Sequence, residues 1–195
     1  MHSDAQKILK ENLLASVEGK QILLQDQKAI ALFVEATRLV VERYRQGGRL
    51  YVAGNGGSAA DAQHLVAEFV SKLARDRAPL PAEALTVDTS ILTAIGNDYG
   101  YEQIFSRQIE GKMTQKDVFL GITTSGNSPN ILEALNKCRE MRIPTIVFSG
   151  RDGGEANRLS DYCLIAPGQR TSTIQEIHIV LAHTLCECVE RAIFG

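Results

Sequence analysis

The chain has 195 residues, of which 44% are hydrophobic, and its 21 Lys and Arg residues against 23 Asp and Glu residues give a formal charge of -2. This length suits one domain with a sizeable core, and no linker rich in Pro, Gly or Ser divides it. The small net charge favours neither nucleic acid nor an anionic membrane as a partner, and no apolar run approaches the roughly 20 residues that span a bilayer. The N-terminus shows no signal-peptide pattern, so we expect a cytoplasmic protein.

The first 46 residues predict two helices. Apolar residues recur there at helical spacing, as in Phe33, Ala36 and Val40, and Gly47-Gly48 ends the second helix. Both helices are too apolar to face solvent on all sides, so we expect part of their surface to lie at a subunit interface. The four cysteines lack metal-binding or disulfide spacing and are interpreted as reduced thiols.

Residues 47–195 alternate short β-rich runs with helical patterns. This alternation predicts a parallel sheet with right-handed crossovers and helices on both faces, a three-layer doubly wound α/β core. The last helix is predicted at Thr173–Ile193, with a capping box formed by Thr173 and Glu176. The five predicted strands are Leu50–Ala53, Ala84–Val87, Val118–Thr123, Thr145–Phe148 and Tyr162–Ile165.

A glycine-rich turn, Gly54-Asn55-Gly56-Gly57-Ser58, connects the first strand to a helix. Such a turn directs backbone N–H groups and the positive end of a helix dipole at one point, although glycine also occurs in turns for its conformation alone. His64 and Glu68 follow, four residues apart on one face of this helix. This spacing fits an acid–base pair, two metal ligands or an ordinary surface pair. Ser58, with Asp61 three residues later, is predicted as a weak helix cap.

The segment Thr123-Thr124-Ser125-Gly126-Asn127-Ser128 is the strongest candidate for a phosphate site. Four hydroxyls, a glycine and a helix that begins at Ser128-Pro129 offer a phosphate many hydrogen bonds. A monophosphate fits better than ATP, because the Walker ending Gly-Lys-[Ser/Thr] is absent. The alternative is a loop whose hydroxyls bond only to its own backbone. Arg151, in a third loop, is expected to face solvent and is not included in the site.

The last helix carries a second group of polar residues. His178 is interpreted as a structural histidine. Gln175 and His183 lie eight residues apart, about 12 Å along a helix, so they either lean towards one ion or serve sites built by different subunits. With His64 and Glu68, His183 completes a His/carboxylate/His set that zinc accepts, and Gln175 would be an unusual oxygen donor.

The motifs, taken in chain order, resemble those of the bacterial phosphoheptose isomerases, which belong to the sugar isomerase (SIS) fold family. Asn97-Asp98, which its flanking glycines predict to be a turn, is one of these motifs. The resemblance extends from about Gly47 to the C-terminus and rests on the following residues: Gly54 to Ser58 with His64 and Glu68, Gly96-Asn97-Asp98, Thr124 to Ser128, and Ile174-Gln175-Glu176 with His178 and His183.

The resemblance implies a specific reaction and assembly. These enzymes convert sedoheptulose 7-phosphate to D-glycero-D-manno-heptose 7-phosphate, the first step of ADP-heptose synthesis for the lipopolysaccharide core. By resemblance, the protein is a homotetramer whose subunits share active sites and bind one zinc ion each, through His64, Glu68, Gln175 and His183. The implied phosphate ligands are Thr123, Thr124, Ser125 and Ser128. The implied sugar contacts are Asn55, Gly56, Gly57, Ser58, Asn97 and Asp98, together with Glu68 and Gln175.

The residues also suit the chemistry of a ketose–aldose isomerase. Proton transfer between adjacent carbons through an enediol needs a base for carbon and an acid for oxygen. We expect Glu68 to abstract the proton from C1 and His183 to serve the oxygens, while zinc polarises the carbonyl. Because a metal-bound residue is a poor proton carrier, either one ligand loosens during turnover or the metal is partly structural.

Two alternatives stand beside this hypothesis. Some SIS proteins only bind sugar phosphates, or regulate the initiation of replication through protein contacts. Glu68 and the intact hydroxyl loop favour catalysis over such a role. Isomerisation of a different sugar phosphate is also open, since none of these residues measures the length of the sugar.

Overall fold

The computed structural model describes residues 2–195, with side chains from Asp4 onward. In this part of the chain, helices and strands alternate after two leading helices, as predicted. The helices are α1 (His2–Gln25), α2 (Gln27–Arg45), α3 (Gly57–Val70), α4 (Thr89–Asp98), α5 (Ser106–Lys112), α6 (Pro129–Met141), α7 (Ala156–Leu159) and α8 (Thr171–Phe194). The strands are β1 (Leu50–Gly54), β2 (Ala82–Ala84), β3 (Val118–Thr123), β4 (Thr145–Gly150) and β5 (Tyr162–Ala166).

The five strands form one parallel sheet in the order β2-β1-β3-β4-β5. Every residue of β1, β3 and β4 is buried, because α2, α3 and α8 cover one face and α5 and α6 cover the other. The predicted three-layer doubly wound fold is therefore confirmed. The strand order reverses between β1 and β3, and ligands of such sheets bind beyond the carboxyl ends of the strands at this switch point.

The two leading helices differ in how much they bury. Asp26 caps α2, since its Oδ1 accepts hydrogen bonds from the backbone N–H groups of Lys28 and Ala29 at 3.0 Å each. The exposed apolar face of α1 consists of residues that are 51–72% exposed: Ile8, Leu9, Leu13, Leu14, Val17, Ile22 and Leu24. Within residues 2–195, no helix combines the length and apolar character that a membrane crossing requires.

The prediction of the second strand is wrong in its position. The predicted run Ala84–Val87 begins where β2 ends, because β2 pairs with β1 only from Leu50 to Val52. The chain then turns towards α4, and Asp88 caps that helix by accepting a hydrogen bond from its third residue at 2.9 Å. Edge pairing, rather than local β-propensity, decides where this strand ends.

Two further local predictions are wrong. Ser58 does not cap α3, because Gly56 has a φ of 56° and starts the helix earlier, in a conformation that favours glycine. Asn97 and Asp98 do not form a turn but end α4. Gly96 is accommodated within this helix, so the flanking glycine does not stop it.

The predicted capping box of the last helix is also wrong. The helix starts at Thr171, which places Thr173 inside the first turn, where it is buried. Glu176 instead forms an ion pair with Lys20 of α1 at 3.8 Å. Ser128 is the N-cap residue of α6 as predicted, although its hydroxyl makes no capping hydrogen bond.

His178 fixes α8 against the sheet. Its side chain is fully buried, and its Nε2 donates a hydrogen bond to the Ser149 carbonyl at the end of β4, at 2.8 Å. Its Nδ1 is buried without a hydrogen-bond partner among the described residues. Burial lowers the pKa of His178 from its ordinary 6.5 to about 4, so the imidazole is neutral near pH 7. This agrees with its interpretation as a structural histidine.

We expect stability to fall as the pH drops, because below pH 6.5 the unfolded chain binds a proton on His178 that the folded chain excludes down to about pH 4. This difference corresponds to about 3 kcal/mol of unfolding free energy over that range. His178→Gln, whose amide can still donate to the Ser149 carbonyl, should remove this part of the pH dependence. Urea unfolding of both proteins between pH 6.5 and about pH 4 measures the effect. If the unfolding free energy changes equally with pH in both, His178 is not the group responsible.

Candidate active site

Asn55 connects three segments at the carboxyl edge of the sheet. Its Oδ1 accepts hydrogen bonds from the Tyr101 hydroxyl at 3.2 Å and from Asn130 Nδ2 at 2.9 Å. Its Nδ2 donates to Asn130 Oδ1 at 2.9 Å. These bonds join the turn after β1, the segment after α4 and the first turn of α6. The turn predicted to line the sugar therefore lies beside the loop predicted to bind phosphate.

The loop after β3 keeps hydroxyl protons available for a ligand. Thr123 Oγ1 and Ser128 Oγ lie 3.0 Å apart and share one hydrogen bond, so one of their two protons has no acceptor among the described residues. Ser125 Oγ accepts a hydrogen bond from the backbone N–H of Asn127 at 3.2 Å, which leaves its own proton free. Thr124 is half-buried beside them. The N-terminus of α6 adds a positive dipole end, so this loop is suited to an anion.

Gly126 holds this loop against the loop that follows β4. Its φ is 69°, and a Cβ at this position would overlap with the carbonyl oxygen of Gly153. Its own carbonyl accepts a hydrogen bond from the Ala156 N–H at 2.9 Å. Arg151 is exposed, as expected, and stays outside the site as we define it.

His64, Glu68 and His183 form a compact cluster. His64 Nε2 lies 3.1 Å from Glu68 Oε1 and 3.1 Å from His183 Nε2. All three ligand atoms lie within 4.8 Å of one another, with two supplied by α3 and the third by α8. His183 therefore joins His64 and Glu68 within a single chain.

The cluster fits a metal ion better than it fits its own hydrogen bonds. Nε2 of His64 carries either one proton or one lone pair, so it can form a hydrogen bond with only one of its two neighbours, and the other short contact is left without one. The 3.1 Å spacings are near the edge of a zinc-centred tetrahedron, which is about 3.3 Å for bonds of 2.0–2.1 Å. The side chains of His64 and Glu68 are 49% and 19% exposed, so an ion can reach them from solvent.

Gln175, the fourth predicted ligand, lies near the start of α3. Its side-chain amide packs against Gly57 so closely that a Cβ on that glycine would overlap with it. Asn97 and Asp98 are exposed, and Asn97 Nδ2 donates to Asp98 Oδ1 at 2.7 Å. Ser58, in contrast, is only 4% exposed beneath the turn. The roles of these residues stay predictions.

Three polar residues near the site were missed by sequence reasoning. Tyr101 and Asn130 hold Asn55 through contacts between distant segments, and no local pattern indicates such contacts. Asp61 was interpreted only as part of a weak helix cap, although it lies three residues before His64, a spacing that could have indicated its place near the site. Its Oδ2 is buried without a hydrogen-bond partner in the described part of the chain. Burial raises the pKa of the Asp61 carboxyl above its ordinary value, and the nearby His64 offsets only part of this rise.

Comparison with known proteins assigns the chain to a family. Residues 18–150 match the family model of the SIS domain. The phosphoheptose isomerase of Aneurinibacillus thermoaerophilus is 48% identical over 186 residues, which cover 95% of this chain and 94% of that protein. This chain belongs to the phosphoheptose isomerase family of SIS-domain proteins. It is an enzyme of the isomerase class.

Solved structures of family members share the whole fold. The phosphoheptose isomerase of Neisseria gonorrhoeae superimposes with a TM-score of 0.90 at 39% identity, covering 96% of this chain and 99% of that one. The phosphoheptose isomerase of Francisella tularensis gives a TM-score of 0.90 at 32% identity, covering 96% and 98%. The N-terminal helices and α8 are therefore included in the similarity, and not only the segment matched by the family model.

We expect Gly126→Ala to destabilise the protein by about 2 kcal/mol or more, because the new Cβ meets backbone and the left-handed φ is strained for alanine. Gly111→Ala is the matched control, since a Cβ at Gly111 meets nothing within 4 Å. It should change the stability little or raise it slightly. Chemical unfolding of both variants measures the difference, and equal stabilities would show that the loop is not held as described.

Proposed function

We propose that this isomerase converts sedoheptulose 7-phosphate to D-glycero-D-manno-heptose 7-phosphate, the first step of ADP-heptose synthesis for the lipopolysaccharide core. The observation that carries the proposal is the cluster of His64, Glu68 and His183 in a chain that also carries the hydroxyl loop after β3. A phosphate anchor and an acid–base group are the two parts that a sugar-phosphate isomerase needs.

The phosphate and the sugar occupy adjacent loops in this proposal. Thr123, Thr124, Ser125 and Ser128 donate to the phosphate at the N-terminus of α6. The 55–58 turn and Asn97-Asp98 line the sugar hydroxyls, and the amide of Gln175 contacts the substrate from α8. Asn55 is held by Tyr101 and Asn130, so its backbone is the part best placed to contact the sugar.

Glu68 and His183 move the protons. The Glu68 carboxylate takes a proton from C1 of the ketose, the C1–H electron pair forms the enediol, and the proton is returned to C2 to give the aldose. His183 transfers a proton between the oxygens on C1 and C2, so atoms and charge balance. His64, Glu68 and His183 are the residues that would hold zinc. Gln175, which packs against Gly57 about two helical turns away, would join them either by leaning along α8 or from a neighbouring subunit. When bound, zinc supplies Lewis-acid polarisation of the carbonyl oxygen.

We further propose a homotetramer of single-domain subunits, 1–195, each with one zinc ion and a cytoplasmic location. Two features of the subunit support assembly. The exposed apolar face of α1, within the N-terminal helices 1–46, is large for a surface in contact with water. The side chain of His64 is half-exposed, so the candidate site is open on a side that a neighbouring subunit can cover.

Incubation of the purified protein with sedoheptulose 7-phosphate tests the activity directly. We expect aldose to form. Treatment with a chelator should abolish this activity, and addition of zinc, but not of magnesium, should restore it. Anomalous scattering at the zinc edge would identify the ion. No turnover with or without chelator, combined with measurable binding of the sugar phosphate, would favour the non-catalytic alternative.

The variant Glu68→Gln tests the base. It should lower kcat by about 10²- to 10⁴-fold, the range for loss of a general base, while binding of the sugar phosphate stays largely intact. Exchange of the C1 proton with deuterated solvent should stop. Glu140→Gln, which changes an exposed carboxylate paired with Lys137, is the control and should behave as wild type. Normal exchange in Glu68→Gln would remove Glu68 from the base role.

A further inference from the structure

Arg77 caps the end of the helix that carries Glu68. The last carbonyls of a helix have no partners within it. Arg77 Nη2 donates to the carbonyl of Glu68 itself at 2.8 Å, and Nη1 donates to the carbonyl of Phe69 at 2.7 Å. The guanidinium also lies at the negative end of the α3 dipole, where a cation is stabilised. The backbone that presents Glu68 is therefore fixed by this side chain.

Glu190 fixes Arg77 to α8. Its Oε2 accepts a hydrogen bond from Arg77 Nε at 3.0 Å, and both side chains are only 3% exposed. Its Oε1 accepts from the backbone N–H of Arg75 at 3.1 Å. Both carboxylate oxygens are thus satisfied, and the buried charges are paired. This pairing joins the C-terminal end of α3 to α8 at a point that solvent does not reach.

The same two helices build the candidate metal cluster. Along α3 and α8 the contacts run in parallel: Gly57 meets Gln175, and His64 meets His183. Glu190 follows His183 by seven residues, close to two helical turns, so it lies on nearly the same face of α8 about 10.5 Å further on. The contact between α3 and α8 sets the distance from His183 to His64 and Glu68. The ion pair of Arg77 and Glu190 therefore fixes this contact at the C-terminal end of α3.

We propose that Arg77 and Glu190 are positioning residues that set the register of α3 against α8 and thereby the spacing of the cluster. The inference rests on the proposed function, since it assumes that the cluster is the reacting end of the site. His64 and Glu68 keep their relative position through one helix turn, but His183 has no such local constraint. Metal ligands and catalytic groups tolerate displacements of only about 0.5 Å, so the register has to be fixed from outside the cluster.

The test replaces the pair without leaving an unpaired buried charge. The double variant Arg77→Met/Glu190→Leu keeps side chains of similar size. The control is Glu187→Gln/Arg191→Gln, which removes an exposed ion pair from the same helix. Zinc affinity is measured by competition with a chelator, and the cobalt-substituted protein reports ligand geometry through its visible absorption. Crystal structures give the separation of His64 Nε2 and His183 Nε2, and steady-state kinetics give kcat and KM.

We expect the double variant to bind zinc about 10- to 100-fold more weakly, as changes behind metal ligands do. Its cobalt spectrum should change, and kcat should fall about tenfold or more while KM changes less than about threefold, since the phosphate loop is untouched. The control should match wild type in every measurement. A folded double variant with zinc affinity and kcat within about twofold of wild type would overturn the proposal.

Failure of the proposed function gives a different result. If wild type neither binds zinc nor turns over substrate, the proposed function fails, and the crystal structures decide the positioning role alone. A shift of His183 from His64 by more than about 0.5 Å in the double variant supports it, and an unchanged separation overturns it. If the double variant does not fold, Arg77→Lys replaces it in all arms. Lysine keeps the charge but has a single nitrogen in place of the planar fork, whose separate atoms bond to Glu190 and to the Glu68 carbonyl.

Discussion

The side-by-side contact of α3 and α8 decides where the acid, base and ligand atoms of the candidate site lie. α3 contributes His64 and Glu68, which one turn of helix holds together regardless of the rest of the fold. His183 joins them only because α8 runs beside α3, and this contact is set at several levels. The hydrogen bond from the His178 imidazole to the end of β4 fixes α8 on the sheet. The ion pair of Glu190 with Arg77 fixes α8 to the C-terminal end of α3.

The energies of these contacts are unequal. The exposed ion pairs of the chain contribute about 0–1 kcal/mol each, because water and salt screen them. Removing one partner of the buried pair Arg77–Glu190 would cost about 3–5 kcal/mol, since the other charge would stay buried and unpaired. The pair therefore resists any movement that separates α3 from α8. The neutral, buried His178 has a similar effect, because its displacement would break its bond to the sheet.

The sheet could be predicted from sequence because β1, β3 and β4 are continuous apolar runs that both faces of the fold bury. The first residues of α3 and α8 could not be predicted. A left-handed glycine, Gly56, decides where α3 begins, and packing against α1 decides that α8 begins at Thr171. Within the site, the spacing of His64 and Glu68 was visible in the sequence. Sequence separations of 119 residues, from His64 to His183, and of 113 residues, from Arg77 to Glu190, are beyond any local pattern.

The candidate site combines ligand atoms open to water with chemistry that depends on the exclusion of water. Abstraction of a proton from carbon by a carboxylate is easier where the carboxylate is not solvated by bulk water. Glu68 is largely covered within one chain, whereas the side chain of His64 is half-exposed. The α1 helix lies along the start of α8, where Lys20 pairs with Glu176. A second copy bound to the exposed apolar face of α1, as proposed above, would bury that face and add protein near the start of α8.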